Sequence, residues 1–505
     1  METSRPIFIT GATGLVGSLL NITALRAGNP VRLLVRKARN QSPEERVRSI
    51  LGVFGFSGDQ WHHHRPHVEL YEGDVGELQF GLSVEEWERL TDGLSSIYHA
   101  AAYCGFANHQ APQARAVNIG GTRNILKLAE RSRAHLFHMS SAYIVGERET
   151  RVLEEEQEKP ERWKNPYEET KWIAEHHVHS HCRENGLTYT VFRPTVLIGD
   201  SSHGRTLRFN SIYHYMKLFH QLSARGKTSP AILEATPEAR LNILPVDFAI
   251  RAIWNISQLP GCEGKIFHIT NPSPPKFAEL ASIAERLFGL RIKCIEQVAY
   301  RKTIPFEQKR RTGSQFSHYG SYMRGEPEFD MTNTRSLLSD YDSTFPRLDE
   351  GYFRKILDYA VAQNWGNHQL TTACQEEEGR PRPFTQRYFG EFLAGKVYQP
   401  LVENLKGLTA IISITIQGDN EEHWILEVRQ GMLTSISHDA RASECTYLMD
   451  STTFEDIARG RCRPEEAFFD GRVNIEGNIE KGLQVATALT QFLASYPFDP
   501  KDDPR

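Results

Sequence analysis

The stretch IFITGATGLVG, residues 7–17, decides the fold of this chain. Its apolar first residues predict a short buried strand, and a helix is predicted from Leu15 to Arg26. Between them, Gly11 permits a sharp turn, Gly14 lets the backbone approach a pyrophosphate, and Gly17 allows close packing of the helix on the strand. The free N–H groups at the helix start attract phosphate. The stretch therefore predicts a dinucleotide site with contacts from Gly11, Thr13, Gly14, Leu15, Val16 and Gly17.

The next predicted strand, residues 31–35, ends in Arg36 and Lys37. An acidic residue at this place would bind the ribose 2′-hydroxyl of NAD, whereas a cation favours the 2′-phosphate of NADP. The two cations therefore predict NADP(H) as the cofactor.

Three later segments, residues 67–71, 96–101 and 136–140, predict further parallel strands. In a doubly wound sheet, the residues after the first of them would flank the adenine. Small side chains after the second would let the backbone pass close to the cofactor. The residues assigned to the cofactor on these grounds are Asp74, Val75, Ala100, Ala101 and Ala102. The predicted fold class is α/β, with a doubly wound parallel Rossmann sheet.

Tyr167 and Lys171 stand four positions apart, a spacing that places them on one face of a helix. An ammonium beside a phenol favours the phenolate, so the pKa of Tyr167 is expected to fall below the usual value of about 10. Such a phenol can exchange a proton with a carbonyl oxygen. Ser141 follows a predicted strand and adds a hydroxyl at the edge where such sheets bind ligands.

Across roughly residues 5–275, these motifs resemble the extended short-chain dehydrogenase/reductase family. The resemblance implies a catalytic triad of Ser141, Tyr167 and Lys171, with Asn118 as a supporting residue. It also places Pro194 and Val196 beside the nicotinamide, while Tyr167 and Lys171 contact the cofactor as well.

Within that family, the strings YHAA at residues 98–101 and GDSSHG at residues 199–204 look like those of thioester reductases. These include fatty acyl reductases and the terminal reductase domains of carrier-protein assembly lines. Ser141 departs from the threonine that is common in these relatives, although either hydroxyl can donate to a reacting oxygen.

The resemblance implies NADPH-dependent reduction of a hydrophobic acyl or polyketide thioester, carried on coenzyme A or an acyl carrier protein. Two alternatives stay open: a ketone or alcohol dehydrogenase acting on a steroid-like or polyketide substrate, and a lipid carrier whose nucleotide domain only senses NADPH. An apolar helix over residues 206–226 is expected to roof the pocket. Basic residues between positions 301 and 324 are candidates for contact with coenzyme A or an acidic carrier protein.

The C-terminal part predicts strands near residues 410–416, 423–428, 433–437, 446–449 and 473–475. A capping box of Thr452 and Glu455 is expected to open a short helix. The strings RGR at residues 459–461 and AFFDGRV at residues 467–473 resemble the sterol carrier protein 2 family, over roughly residues 386–497. That resemblance implies an α+β fold around an apolar tunnel for lipids, lined in part by a final helix that contains Phe492.

The bulk properties fit a multidomain globular protein of 505 residues, with 39% hydrophobic and 24% charged residues. A net charge of -4 gives no reason to expect nucleic acid as a partner. Seven dispersed cysteines, no apolar run of membrane length and no room for a secretory leader predict a cytoplasmic protein. No carboxylate completes a metal site with His177 and His181, so no metal is predicted. The oligomeric state stays undefined.

The predicted domains are a cofactor-binding domain at 1–275, a substrate subdomain at 200–230 and 276–365, a linker at 366–385 and the second domain at 386–505.

Overall fold

The computed structural model describes residues 5–38, 41–106, 108–148, 150–224, 231–296, 320–366, 384–393, 409–417, 422–438 and 443–478, and residues 480, 484 and 485. The chain divides into two compact units, Met1–His368 and Gln369–Arg505. Each unit has an apolar core of its own.

The first unit is built on a seven-stranded parallel sheet. The strands of this unit are β1 (Ile7–Thr10), β2 (Val31–Val35), β3 (Val68–Glu72), β4 (Ser96–His99), β5 (His135–Met139), β6 (Tyr189–Pro194), β7 (Val196–Ile198), β8 (Ala231–Glu234), β9 (Ile243–Pro245), β10 (Ile266–Ile269) and β11 (Ile292–Ile295). The main sheet has the order β10-β6-β5-β4-β1-β2-β3. The chain therefore winds outward in opposite directions from β1 and β4, which border the crevice where such sheets bind ligands. The predicted doubly wound sheet is confirmed.

Helices cover both faces of this sheet. The first unit contains the α-helices α1 (Leu15–Arg26), α2 (Pro43–Val53), α3 (Asp59–His64), α4 (Val84–Thr91), α5 (Ala111–Ala114), α6 (Gly121–Ser132), α7 (Pro166–Glu184), α8 (Ile212–Ala224), α9 (Val246–Ser257), α10 (Phe277–Phe288), α11 (Thr332–Leu337) and α12 (Glu350–Ala362), of which α8, α10 and α12 belong to a small subdomain beyond the sheet. Helices α1 and α9 pack on one face, and α6 and α7 pack on the other. Among the described residues, no helix combines the length and the apolar character that a membrane crossing requires.

The turn between β1 and α1 depends on glycine because backbone atoms crowd it. Gly11 has a φ of +68°, and a Cβ there would lie 2.7 Å from the Ala101 nitrogen. A Cβ at Gly17 would lie only 2.2 Å from the Gly11 carbonyl oxygen. The Gly14 N–H donates to that same oxygen at 2.7 Å. The close approach of turn, helix and β4 that the sequence predicts is therefore present.

A small subdomain extends beyond the main sheet. The parallel pairs β7–β9 and β8–β11 pack with α8, α10 and α12 around Phe219, Phe288 and Phe353. The predicted helix over residues 206–226 is shorter and begins at Ile212. Ser211 has a φ of +53°, a left-handed conformation that stops the helix from extending toward its N-terminus. Most of the basic stretch predicted at residues 301–324 lies outside the described residues.

The second unit is an α+β domain, as predicted. Its strands, β12 (Ala410–Gln417), β13 (Glu422–Arg429), β14 (Met432–Ser437), β15 (Cys445–Asp450) and β16 (Val473–Gly477), form one sheet with the order β14-β13-β12-β15-β16. Its described helices are α13 (Phe384–Gln386), α14 (Ser451–Ala458) and α15 (Pro464–Phe469). Most of the predicted linker and of the final helix, including Phe492, falls outside the described residues.

The predicted capping box of α14 is wrong. The residue that caps this helix is Asp450, whose carboxylate accepts the Thr453 N–H at 2.7 Å. Asp450 lies immediately before the first helical residue and is a strong N-cap, whereas Thr452 is already inside the helix.

We expect Gly17→Ala to destabilise the first unit by on the order of 3 kcal/mol and to weaken dinucleotide binding, because the new Cβ would collide with rigid backbone. Gly120→Ala is the matched control, since the nearest atom to a Cβ there lies at 4.0 Å. Chemical unfolding and cofactor titration of both variants test this. Equal stability of the two variants would contradict the crowding argument.

Candidate active site

The structure brings Ser141, Tyr167 and Lys171 together at one cavity. Ser141 follows β5, and the other two residues lie one turn apart on α7. The Ser141 hydroxyl and the Tyr167 phenol are hydrogen-bonded. The Lys171 ammonium donates to the carbonyl of Met139 at the end of β5. The predicted grouping of the three residues therefore agrees with the geometry.

The pKa of Tyr167 is shifted opposite to the direction that the sequence predicts. Burial, together with the neighbouring Cys104 thiol, raises the pKa of the phenol. Burial likewise lowers the pKa of Lys171 to about 8. Removing the phenol from water disfavours the phenolate more than the hydrogen bond from Ser141 favours it. The phenol is therefore protonated at neutral pH.

Asn118 connects two segments of the chain behind the cavity through side-chain hydrogen bonds. It lies in a π-helical turn, Arg115–Gly120, between α5 and α6. Its buried side-chain oxygen accepts the Tyr103 N–H at 2.7 Å, and its amide donates to the Thr170 hydroxyl at 2.9 Å. Asn118 thus fastens the chain after β4 to α7. This arrangement supports a positioning role for a residue that the sequence groups with the catalytic ones.

The start of α1 forms one wall of the cavity, through Gly14, Leu15 and Val16. Gly14 is the N-cap, no side chain caps the helix, and no acidic residue lies in its first turn. The first N–H groups of α1 are thus available to a phosphate. Thr13 is half-buried in the same turn. Other predicted cofactor residues that line the cavity are Ala100, Ala102, Pro194 and Val196.

The other residues predicted to contact the cofactor near its adenine lie at the ends of β2, β3 and β4. The Ala101 N–H donates to the Thr10 hydroxyl at 3.2 Å, which ties β4 to β1. Asp74 accepts the Gly76 N–H at 2.8 Å, and Val75 is buried. These contacts shape the turn after β3.

At the end of β2, Arg36 and Lys37 are both exposed. Arg46 on α2 donates to the Arg36 carbonyl at 2.9 Å, which brings a third cation to this edge. Burial lowers the pKa of Arg46, and the charge of Arg36 adds to that effect. Sequence reasoning missed Arg46, which only the packing of α2 brings to β2.

The cavity has a volume of about 340 Å³, within the range typical of small-molecule sites. Polar groups, including Lys171 and Ser141, line the end near the sheet. From there the cavity continues into the small subdomain, where α8 and α10 contribute its walls. The prediction that the helix beginning at Ile212 roofs the pocket agrees with its lining side chains, Ile212, Tyr215, Met216 and Phe219.

Sequence reasoning also missed Cys104. Its thiol is hydrogen-bonded to the Tyr167 phenol and faces the cavity, so the sulfur is accessible from inside while protein surrounds it. Burial raises the pKa of this thiol. A neutral thiol therefore lies beside the phenol.

Two carboxyl groups near the cavity were missed as well. The Tyr322 hydroxyl donates to Glu168 at 2.5 Å, and the Tyr143 hydroxyl donates to Glu326 at 2.9 Å. Burial raises the pKa of each carboxyl to about 7. The tyrosine and glutamate of each pair are 154 and 183 positions apart, so no local sequence pattern predicts either pair.

Comparison with known proteins agrees with both resemblances. Residues 9–253, which contain the glycine turn and the three grouped residues, match the family model described as Male sterility protein. Residues 393–490, which contain the strands of the second unit, match the SCP-2 sterol transfer family.

Individual relatives are similar over about three quarters of the chain. One component of the linear gramicidin synthase of Brevibacillus parabrevis is 26% identical over 367 residues, covering 70% of this chain and 7% of that protein. Aldehyde reductase lnaA of Aspergillus flavus is 25% identical over 412 residues, covering 75% and 37%. The chain thus spans well under half the length of either relative. The crystal structure of the terminal R domain from the myxalamid PKS-NRPS biosynthetic pathway is 25% identical with a TM-score of 0.61, covering 72% of this chain and 92% of that one.

We expect the contribution of Glu168 to the stability of the first unit to fall as pH rises from about 4.5 to about 7. Buried Glu168 has a pKa raised from 4.5 to about 7, so the folded state binds more protons than the unfolded state in this window. Glu168→Gln removes this titration, so the change in unfolding free energy from about pH 5 to about pH 8 should be more positive in the variant than in the wild type. Unfolding free energies at about pH 5 and about pH 8 measure it.

The matched control is Glu169→Gln, which removes a neighbouring carboxylate that pairs with Arg115 at 2.9 Å. This variant should keep the wild-type slope. A slope unchanged in Glu168→Gln would show that the carboxyl does not carry the proton.

Proposed function

We propose that the protein uses NADPH to reduce an acyl thioester, because residues 9–253 match the Male sterility protein family and residues 393–490 match the SCP-2 sterol transfer family. The thioester is carried on coenzyme A or an acyl carrier protein. The observation that carries this proposal is the position of Ser141, Tyr167 and Lys171, between the start of α1 and an apolar chamber. The named relatives, a gramicidin synthase and an aldehyde reductase, support the same reaction class.

The chain's own groups fit the needs of a carbonyl reduction. The bound cofactor would supply hydride. The hydroxyls of Ser141 and Tyr167, hydrogen-bonded to each other, can both donate to the carbonyl oxygen as negative charge grows there. Because burial raises its pKa, Tyr167 holds the proton that this oxygen requires. Lys171 keeps a positive charge near the site and is a candidate to bind the ribose hydroxyls.

The preference for NADPH rests on the cations at the end of β2. Arg36 and Lys37 lie at the strand end where a sheet of this type binds the ribose, and Arg46 contacts the Arg36 carbonyl there. Guanidinium groups bind phosphate with strong, charge-assisted hydrogen bonds.

The second unit is proposed to hold or shuttle the hydrophobic chain. Its membership of the SCP-2 sterol transfer family supports this role, and its described core is apolar. Because Ser141, Tyr167 and Lys171 line the same cavity as the start of α1, we favour a catalytic first unit over one that only senses a nucleotide.

The central test mixes purified full-length protein with NADPH and decanoyl-CoA or hexadecanoyl-CoA. We expect loss of NADPH absorbance together with release of free coenzyme A thiol, since thioester reduction frees a thiol whereas ketone reduction does not. Tyr167→Phe should lower kcat by at least about 100-fold, because it removes the proton donor.

Tyr189→Phe is the matched control, because Tyr189 contacts His179 at 3.2 Å and does not line the cavity. It should leave kcat within about twofold of wild type. NADPH loss without thiol release would refute thioester reduction, and an active Tyr167→Phe variant would refute the role of the phenol.

Cofactor choice is tested by binding. Arg36→Ala and Arg46→Ala should each weaken NADPH binding by about tenfold and leave NADH binding nearly unchanged, because a charge-assisted contact to the 2′-phosphate is lost. Arg48→Ala, on the same helix but exposed, is the control. Equal weakening of NADPH and NADH would count against a 2′-phosphate site.

A further inference from the structure

We propose that the chamber between α8 and α10 holds an unbranched hydrocarbon chain, and that Phe219 and Phe288 close its far end and limit the chain length. This inference rests on the proposed function, because the chain is the acyl group of the thioester. It distinguishes a fatty-acyl type of substrate from a peptide.

The first step is the direction of α8 relative to the triad. Arg208, four residues before α8, lies close enough to Cys104 for its charge to act on the thiol. Cys104 is hydrogen-bonded to Tyr167, so the start of α8 lies near the reacting groups. At about 1.5 Å per residue, Phe219 then lies about 10 Å along the helix from Ile212. Phe219 thus marks the end of the chamber remote from the triad.

The second step is the closure of that end. The Ser223 hydroxyl in the last turn of α8 donates to the Phe288 carbonyl at 2.6 Å, in the last turn of α10. The rings of Phe219 and Phe288 lie with centroids 6.0 Å apart. Their exposed fractions are only 5% and 6%, so the two rings separate this end from solvent.

The third step is the chemistry of the walls. Every side chain that α10 contributes to the lining is apolar, and so are Met216 on α8 and Leu233 on β8, whereas α8 also contributes the hydroxyl-bearing Tyr215. A peptide or a polyhydroxylated chain would lose water at its many polar groups and would find few hydrogen-bond partners on these walls, chiefly Tyr215. A hydrocarbon chain has no polar groups to dehydrate, and its transfer out of water is favourable. The walls therefore favour an aliphatic chain.

The experiment measures kcat/KM of the full-length protein for a series from hexanoyl-CoA to octadecanoyl-CoA. Phe219→Ala and Phe288→Ala should move the optimum to longer chains, raising the efficiency for the next longer thioester relative to the wild-type optimum by about tenfold. Phe219→Trp should move the optimum to shorter chains. Leu222→Ala, on α8 but outside the lining, should leave the optimum unchanged.

A second readout does not depend on reduction. A fatty acyl-CoA with a photoreactive diazirine at its terminal carbon is crosslinked to the protein, and the labelled peptides are identified by mass spectrometry. Labels on α8 and α10 that Phe219→Trp diminishes would support the chamber even if no thioester were reduced, in which case only the proposed function fails.

Two outcomes would overturn the assignment. One is reduction with the same chain-length optimum in wild type and in folded Phe219→Ala, Phe288→Ala and Phe219→Trp. The other is crosslinking confined to the second unit. Circular dichroism and a thermal unfolding profile establish that each variant is folded.

Discussion

The candidate active site depends on how α7 is held against the sheet. The Lys171 ammonium donates to a backbone carbonyl at the end of β5, and one turn later Glu175 pairs with Arg193 on β6. The Nε–Oε2 distance of this buried ion pair is 3.1 Å. Burying two charges costs hydration, so such a pair is tolerated only with close, well-satisfied geometry. Because positions 167, 171 and 175 share a helix face, these two contacts direct Tyr167 toward Ser141 and the cavity.

The same burial sets the protonation states around the site. Tyr167 and Cys104 both have raised pKa values because protein replaces water around them, and Glu168 and Glu326 titrate near pH 7 for the same reason. A protonated phenol suits proton donation, which is the role proposed for Tyr167.

The apolar interiors of the two units differ in how their side chains pack. The first contains a cavity that continues from the triad into the small subdomain. In the second, the described aromatic side chains pack on one another, with Phe389 stacked on Trp424 at 4.7 Å and on Phe454 at 5.0 Å. The lipid tunnel that the resemblance implies in the second unit stays a prediction.

The sequence by itself determined what depends on local backbone geometry. The glycine turn and the i, i+4 relation of Tyr167 and Lys171 follow from short stretches whose spacing fixes their shape. The succession of predicted strands and helices indicated a doubly wound parallel sheet, and the structure supplied its strand order. Only the tertiary structure decided the direction of the Tyr167 pKa shift, because desolvation depends on every segment that surrounds the phenol. It alone brought Arg46 to the edge of β2, and it alone paired carboxyls with tyrosines more than 150 positions away. Such contacts depend on packing between distant segments, which leaves no periodic signal in the chain.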